Sequence, residues 1–180
     1  SYCLRTCLSE FAGKTTFFNL LTGKYKPTSG AVLYLGRDIT HMPFHERIHH
    51  GIGRSFQITN IFPQLTVLEN VRLAVQATSP QTFNFWRRAS HFQAFIDRAY
   101  AVLDLVGLSR EALAPANTLP HGGKRKLELA MLFAPDPEVL LLDEPTAGMA
   151  SEQVPELLAV INTIRQQGNK TIVMVEHNMS

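Results

Sequence analysis

The sequence has few cysteines, no strong excess of either charge and no long apolar run. Cys3 and Cys7 are the only two cysteines in 180 residues, too few for a disulfide framework, so we expect reduced thiols in a cytosolic protein. A net charge of +2 is too mild to predict a nucleic-acid partner. No apolar run approaches the roughly 20 residues of a membrane span, and no signal-peptide pattern is evident. We therefore expect any membrane attachment to run through a partner.

What is present predicts a globular protein. A hydrophobic content of 45% and a charged content of 18% are globular values, and 180 residues fit one domain with a sizeable core. The sequence shows no internal repeat and no low-complexity tract. The function must therefore be sought in local motifs.

The most informative stretch is an apolar run that ends in two acidic residues. Residues 139–142 are all apolar and lie between Pro137 and Pro145, which predicts a strand buried on both faces of a parallel sheet. Asp143 and Glu144 follow, at the sheet edge where such sheets bind ligands. Side chains alternate along a strand, so we expect the two carboxylates to diverge. One could hold a magnesium ion while the other addresses a water molecule.

Two stretches upstream predict helix starts that suit phosphate. Gly122 and Gly123 open a helix with apolar residues at i, i+3, i+4 and i+7, namely Leu127, Ala130, Met131 and Ala134. Near the beginning of the chain, a second helix opens in the manner of a phosphate-binding loop, through Ala12, Gly13, Lys14, Thr15 and Thr16. The first turn of a helix offers free N–H groups and the positive end of the helix dipole, which attract anions.

Other local signals place the remaining elements. Gly23 is expected to end the first helix, and residues 31–35 are expected to form a short strand. The run Thr66-Val67-Leu68-Glu69 is a capping box that predicts a helix starting near Val67. An apolar stripe predicts another helix, through Phe92, Phe95, Ile96, Ala99, Leu103 and Val106. Ser151 is expected to cap a further helix, and residues 171–175 read as a second buried strand.

The chain resembles the ATP-binding subunit of an ABC transporter. The resemblance lies in the order of four motifs: the phosphate-binding loop, the Gly-Gly helix start, the acidic strand end and His177. The sequences around Gly148 and His177 are most similar to subunits that drive branched-chain amino acid uptake. The resemblance covers nearly the whole chain from residue 12. It implies an α/β fold, with a P-loop nucleotide-binding core built on a mostly parallel sheet and a helical subdomain.

The resemblance also implies a division of the chain. It assigns residues 1–57 and 116–180 to the ATP-binding core, which is expected to be incomplete at both ends. Residues 58–115 would form the helical subdomain with the transporter-contact region. Compared with the family, the chain starts too late to contain the aromatic residue that stacks on adenine, and it ends soon after His177. We therefore expect a fragment of a longer protein.

Residue roles follow from the resemblance. Glu144 would polarise the attacking water, and His177 would contact the γ-phosphate. Magnesium would be held by Thr15, Gln57 and Asp143. ATP would be bound by Ala12, Gly13, Lys14, Thr15, Thr16, Gln57, Gly122 and Gly123. A strand, a helix and a second strand from residue 139 to residue 175 predict a right-handed unit that brings His177 beside Glu144.

The resemblance implies partners as well. Two ATP-binding subunits, identical or different, would face each other head to tail, so that Gly122 and Gly123 of one cover the ATP bound to the other. Transmembrane permease subunits would follow the motion of this pair, and no nucleic acid would take part. The subunit would be a peripheral protein on the cytoplasmic face of the plasma membrane. The transported molecule is chosen by the partners, so amino acid uptake rests on the resemblance alone.

Four positions depart from the family pattern. Lys124 replaces a glutamine and adds a positive charge that is compatible with phosphate. Leu8 and Phe11 stand where the phosphate-binding loop has glycines, and a phenylalanine side chain should crowd the approach of the backbone to phosphate. Pro120 replaces the serine that would touch the γ-phosphate and has neither a hydroxyl nor an N–H group. The alternative function is therefore a catalytically defective or fragmentary nucleotide-binding module of the same fold.

A remote alternative is a zinc hydrolase. The run from His45 to His49 fits the pattern H-E-x-x-H, in which His45 and His49 would bind zinc and Glu46 would act as the base. The segment spans only one or two turns between Pro43 and Gly51, and no third ligand is evident nearby. A solvated amphipathic helix is the preferred interpretation.

Overall fold

The computed structural model describes residues 13–54, 61–77, 88–166 and 170–175. Within these ranges the chain forms six α-helices and five strands. The helices are α1 (Lys14–Leu21), α2 (Phe44–His49), α3 (Val67–Ala77), α4 (Arg88–Val106), α5 (His121–Phe133) and α6 (Val154–Gln166). The strands are β1 (Leu33–Tyr34), β2 (Arg37–Asp38), β3 (Ile52–Arg54), β4 (Val139–Asp143) and β5 (Thr171–Val175).

A three-stranded parallel sheet in the order β3-β4-β5 forms the centre of the molecule. Strand β4 pairs with β3 from Val139 opposite Ile52, and with β5 from Val139 opposite Thr171. Residues 140–142 of β4 are at most 1% exposed, so the strand is buried on both faces, as the apolar run predicts. The α/β fold with a parallel sheet is confirmed.

A small antiparallel hairpin, β1-β2, lies outside this sheet. The predicted strand over residues 31–35 is shorter than expected, because the backbone turns at Leu35 and Gly36, both of which have positive φ angles. Two consecutive residues of this kind form the tight turn that joins twisted antiparallel strands. The predicted end of α1 is confirmed: Thr22 caps the helix, and Gly23 follows with a φ of 78°.

The helix start predicted at Val67 is confirmed together with its capping box. The amide of Glu69 donates to Thr66 Oγ1 over 3.1 Å, and the amide of Thr66 donates to Glu69 Oε2 over 3.0 Å. The two bonds satisfy backbone donors that a helix start would otherwise leave without partners. In α4, the predicted stripe is confirmed for Ala99, Leu103 and Val106, which are fully buried, but not for Phe92, which is 49% exposed.

Helix α6 begins later than the sequence predicts. The amide of Gln153 donates to the carbonyl of Ala150 over 2.9 Å, which makes residues 150–153 a turn. The carbonyl of Gln153 then accepts the amide of Leu157, so the helical bonds start there. The prediction that Ser151 is the N-cap is therefore wrong.

One continuous apolar core joins most of the helices to the sheet. Buried residues of α3, α4, α5, β4 and α6 belong to it. A second, smaller cluster contains Phe18, Ile39, Ile52, Leu141 and Val175. The two clusters lie on either side of β4, which contributes Leu140 and Leu142 to the first and Leu141 to the second. In the described part of the chain, no helix is both long and apolar enough to cross a bilayer.

The turn between α5 and β4 is held by an ionic cluster. Asp136 has a φ of 59°, and its carboxylate lies 2.8 Å from Lys170 Nζ and 3.2 Å from Arg98 Nη2. Both cations also lie over the ring of Phe133, at 5.6 Å and 5.4 Å. Burial raises the pKa of the Asp136 carboxyl, but Lys170 and Arg98 outweigh burial and hold the pKa below its ordinary value.

This cluster predicts a pH-dependent stability. Since the folded state lowers the pKa of Asp136, its contribution is complete above the unfolded pKa of about 3.9 and is lost as the pH falls below it. We expect Asp136→Asn to lower the free energy of unfolding at pH 7 by roughly 0.2 to 1 kcal/mol for each half-exposed pair. Asparagine tolerates a positive φ, so the backbone stays unstrained.

Urea unfolding of the wild type and Asp136→Asn from pH 7 to pH 3 measures this effect. The difference between the two proteins should shrink towards zero at the acid end. A difference that stays constant over the whole range would exclude the ionic contribution.

Candidate functional site

The two carboxylates lie at the sheet edge where β4 and β5 end. Asp143 is the last residue of β4 and is paired with Val175, the last residue of β5. The amide of Glu144 donates to the carbonyl of Val175 over 2.8 Å. The carboxyl end of β5 is therefore bonded directly to the backbone that carries the carboxylates.

Glu144 itself lies outside the strand. Its φ of 48° is in the left-handed region, which non-glycine residues rarely adopt. Strand alternation therefore does not extend to Glu144, and the divergence of the two carboxylates stays a prediction. A strained backbone at this point is typical of a functional position, where the surrounding structure enforces it.

Helix α1 begins at a glycine whose surroundings are open. Gly13 is the N-cap, with a φ of 146°, and a Cβ atom built there would meet no atom of the described residues within 4 Å. No described side chain caps this helix start. The first-turn amides are thus available to an anion, which the helix dipole attracts. Lys14, Thr15 and Thr16 occupy this turn.

Phe18 connects α1 to the acidic sheet edge. Its side chain is completely buried and packs in the cluster that contains Ile52, Leu141 and Val175. Phe18 lies one turn after Lys14, about 6 Å along the helix axis. Helix α1 is therefore anchored to the sheet through Phe18.

The Gly-Gly segment lies in the first turn of α5. Pro120 is the N-cap, with an extended backbone and no side-chain cap, and the amide of Lys124 donates to its carbonyl over 3.0 Å. Gly122 is buried against the start of α6, because a Cβ atom there would lie 2.7 Å from Gln153 Oε1. Gly122 therefore has a packing role in addition to any contact with phosphate.

Arg125 ties α5 to the loop after the acidic residues. Its Nη1 atom lies 2.8 Å from Glu128 Oε2, and its Nη2 atom donates to the carbonyl of Ala147 over 3.2 Å. Its Nε atom is buried and, among the described residues, has no hydrogen-bond partner. Arg125, Glu128 and Asp143 also line a cavity of about 30 Å³, which has room for roughly one water molecule.

The structure brings together only some of the predicted site residues. Asp143 and Glu144 lie at the end of the sheet where β5 also ends, and α1 packs against the sheet through Phe18. Gly122 and Gly123 lie in a helix bonded to the adjoining loop through Arg125. Ala12, Gln57 and His177 lie outside the described residues, as do Leu8 and Phe11. Their assigned roles stay predictions.

The alternative zinc site gains no support. Among the described residues, no group of three histidine, cysteine or acidic side chains is arranged to hold a metal ion. His45 and Glu46 are both exposed, with 4.0 Å between His45 Nε2 and Glu46 Oε1. The important residue of this helix is instead Arg47, which is 1% exposed. Arg47 is not predictable from the sequence, because a single arginine in a polar helix resembles a solvated residue.

Comparisons with known proteins show which family the chain is similar to. The ABC transporter family model matches residues 12–147. The branched-chain amino acid transport ATP-binding protein LivG of Escherichia coli K12 is 36% identical over 173 residues, covering 93% of this chain and 68% of that protein. LivG of Salmonella typhimurium is 38% identical over 176 residues, with the same coverage. BraF of Pseudomonas aeruginosa, with the same description, is 36% identical over 175 residues, again covering 93% of this chain and 68% of that protein.

Solved structures agree as well. An ATP-binding cassette of an ABC transporter in its ADP conformation superposes with a TM-score of 0.76 at 26% identity, covering 93% of this chain and 67% of that chain. A dimeric cassette in a post-hydrolysis state, bound to ADP and Pi, gives a TM-score of 0.73 at 26% identity, covering 92% and 70%.

The bonds of Arg125 predict a measurable loss of stability. Arg125→Met keeps most of the side-chain volume but removes the ion pair and the bond to Ala147. We expect the free energy of unfolding to fall by about 1 to 2 kcal/mol, since both bonds involve a charged, mostly buried donor. Urea denaturation followed by circular dichroism measures it. Lys124→Met, at the neighbouring position, is the control and should change stability less; equal effects of the two variants would contradict this role.

Proposed function

Because the chain belongs to the ABC transporter family, we propose that it binds and hydrolyses ATP to power an importer of branched-chain amino acids or related compounds. The observation that carries this proposal is the joining of the acidic end of β4 to the end of β5 and, through Phe18, to α1. Three segments far apart in the sequence are thus joined in the fold, which supports a shared nucleotide site. The substrate class comes from the names of the relatives.

ATP would be held mainly at the start of α1. Its uncapped amides and the open space at Gly13 suit phosphate oxygens, and Lys14 would add a positive charge. The remaining proposed ATP contacts are Ala12, Thr15, Thr16, Gln57, Gly122 and Gly123. Lys124, which stands where the family has glutamine, adds a further positive charge beside the two glycines.

The residues at the sheet edge fit a magnesium ion. Asp143 supplies a carboxylate at the end of β4, and Thr15 in the first turn of α1 and Gln57 would complete the set with oxygen ligands, the kind that magnesium prefers. When bound, magnesium neutralises charge on the phosphates. The protein then has to position the reactants rather than form covalent intermediates.

Glu144 is the proposed base. As a carboxylate at the left-handed turn after β4, it would accept a proton from the attacking water and orient that water. His177, two residues beyond the end of β5, would contact the γ-phosphate and stabilise the charge that develops in the transition state. The bond between Glu144 and Val175 supports placing the two residues side by side.

The proposed subunit works as one of a pair. A second ATP-binding subunit, identical or different, would contribute its Gly122–Gly123 segment to cover the bound ATP, and transmembrane permease subunits would respond to closing and opening of the pair. The subunit would sit peripherally on the cytoplasmic face of the membrane. Residues 1–57 and 116–180 would form the ATP-binding core, and residues 58–115 the helical subdomain that contacts the permease.

A second candidate is a nucleotide-binding module that has lost turnover. Pro120 favours it, because it caps α5 with neither a hydroxyl nor an N–H group. The family serine at this position would touch the γ-phosphate of the partner subunit. In this case ATP would still bind at α1, but hydrolysis would be slow. Restoring the hydroxyl with Pro120→Ser should then raise the hydrolysis rate.

The main proposal predicts that Glu144→Gln separates binding from chemistry. The amide cannot accept the proton, so ATP hydrolysis should fall by about 100-fold or more. Binding of ATP should be unchanged, because the phosphates are held elsewhere. Phosphate release measures hydrolysis, and equilibrium dialysis with radiolabelled ATP measures binding.

Glu152→Gln is the matched control, since Glu152 is an exposed glutamate in the turn before α6. It should hydrolyse ATP at the wild-type rate. Hydrolysis by Glu144→Gln at the same rate would refute the assigned base. Absence of ATP binding in the wild type would refute the proposed function.

A further inference from the structure

Arg47 is a fully buried arginine whose hydrogen-bonding capacity is completely used. Its Nη1 atom donates to the carbonyls of Leu20 and Leu21 over 2.9 and 2.7 Å. Its Nη2 atom donates to the carbonyls of Ile39 and Thr40, and its Nε atom to that of Met42 over 2.9 Å. A guanidinium group has five N–H donors, so each one has an acceptor.

All five acceptors are main-chain carbonyls rather than a carboxylate. Leu20 and Leu21 are the last two residues of α1, at the negative end of the helix dipole, and the carbonyl of Leu20 also accepts the amide of Gly23 over 3.1 Å. A cation at this point both satisfies the carbonyls and stabilises the dipole. Burial lowers the pKa of Arg47, but an arginine stays charged in a protein.

The contacts of Arg47 join three parts of the nucleotide-binding half. The guanidinium links the end of α1 to the segment after the β1-β2 hairpin, which contains Ile39, Thr40 and Met42. Arg47 itself belongs to α2, which packs against β3. Strand β3 leads towards Gln57. Arg47 therefore fixes α1 relative to β3, the strand that precedes Gln57 in the sequence.

Gly23 completes this arrangement. Its φ is 78°, and a Cβ atom there would lie 2.7 Å from Arg47 Nε and 2.9 Å from the carbonyl oxygen of Met42. The glycine is required twice, once by its backbone angle and once by the guanidinium that fills the space beside it. The end of α1 is therefore built around the arginine.

We propose that Arg47 is a positioning residue for ATP binding: by clamping the C-terminal end of α1, it keeps the N-terminal end of that helix aimed at the phosphates. Helix α1 is only eight residues long, about 12 Å, so a displacement at one end is transmitted to the other. The inference rests on the proposed function, since it concerns the same phosphate site. Lysine cannot replace Arg47, because an ammonium group has only three N–H donors for five carbonyl acceptors and lacks the planar geometry of a guanidinium group.

The test uses the full chain and a fluorescent ATP analogue, mant-ATP, with magnesium. Arg47→Lys is compared with Arg98→Lys, which alters another carbonyl-bonded arginine, next to Asp136. We expect Arg47→Lys to raise the Kd about tenfold. Arg98→Lys should lower the Tm but leave the Kd unchanged. Backbone amides at the end of α1 should also exchange with deuterium faster in Arg47→Lys alone.

A second pair of variants covers the case in which Arg47→Lys does not fold. Gly23→Ala forces a side chain against the guanidinium, whereas Gly107→Ala has a similar φ of 71° and open space around it. Both substitutions strain the backbone, but only the first displaces Arg47. We expect a Kd about threefold or more above wild type for Gly23→Ala and the wild-type Kd for Gly107→Ala.

The outcomes are distinguishable. Weaker binding in Arg47→Lys or Gly23→Ala, with wild-type binding in the matched control, supports the positioning role. If the wild type binds mant-ATP and both Arg47→Lys and Gly23→Ala bind it equally well, Arg47 has a purely structural role and the inference is overturned. If the wild type itself does not bind mant-ATP, the proposed function is refuted, and the inference about Arg47 is refuted with it.

Discussion

The parallel pairing of β4 with β5 is the interaction on which the rest of the site depends. It begins at Val139 opposite Thr171 and continues to Asp143 opposite Val175, and the amide of Glu144 extends it by one further bond. Parallel strands end at the same edge of a sheet, so the acidic residues and the chain beyond β5 emerge together. Because β4 is buried on both faces, this register is strongly fixed.

The helices that carry the other site residues are attached to this sheet by different interactions. Phe18 anchors α1 by apolar packing, and the clamp of Arg47 holds its opposite end through charged hydrogen bonds. Helix α5 is attached to the loop after β4 by Arg125 and to α6 by an ion pair between Lys126 and Glu156. Within the described residues, the N-terminal ends of α1 and α5 thus carry no side-chain caps, while other contacts fix the two helices.

Elements of the fold could be predicted from the sequence where they depend on neighbouring residues or on a strongly apolar run. Strand β4 was predictable because four apolar residues in a row fit a strand buried on both faces, and the capping box placed the start of α3. Strand β3 was missed because Gly53 interrupts its apolar pattern. A Cβ atom at Gly53 would be tightly packed, 3.1 Å from Pro137 and 3.2 Å from Leu132. Arg47 was missed because its partners are backbone carbonyls up to 27 residues away, which no spacing rule encodes. The turn at Glu144 is likewise set by the neighbouring strand.

The central claim is that the start of α1, the end of β4 and the end of β5 surround one triphosphate. Paramagnetic broadening by Mn²⁺-ATP in amide NMR spectra tests it most directly, because the ion broadens only signals close to it. The account predicts that signals of residues 13–16, of Asp143 and Glu144 and of Val175 broaden together, while those of Asp136 and Lys170 near the opposite ends of the strands stay sharp. Broadening confined to one of these segments, or centred on Asp136, would contradict it.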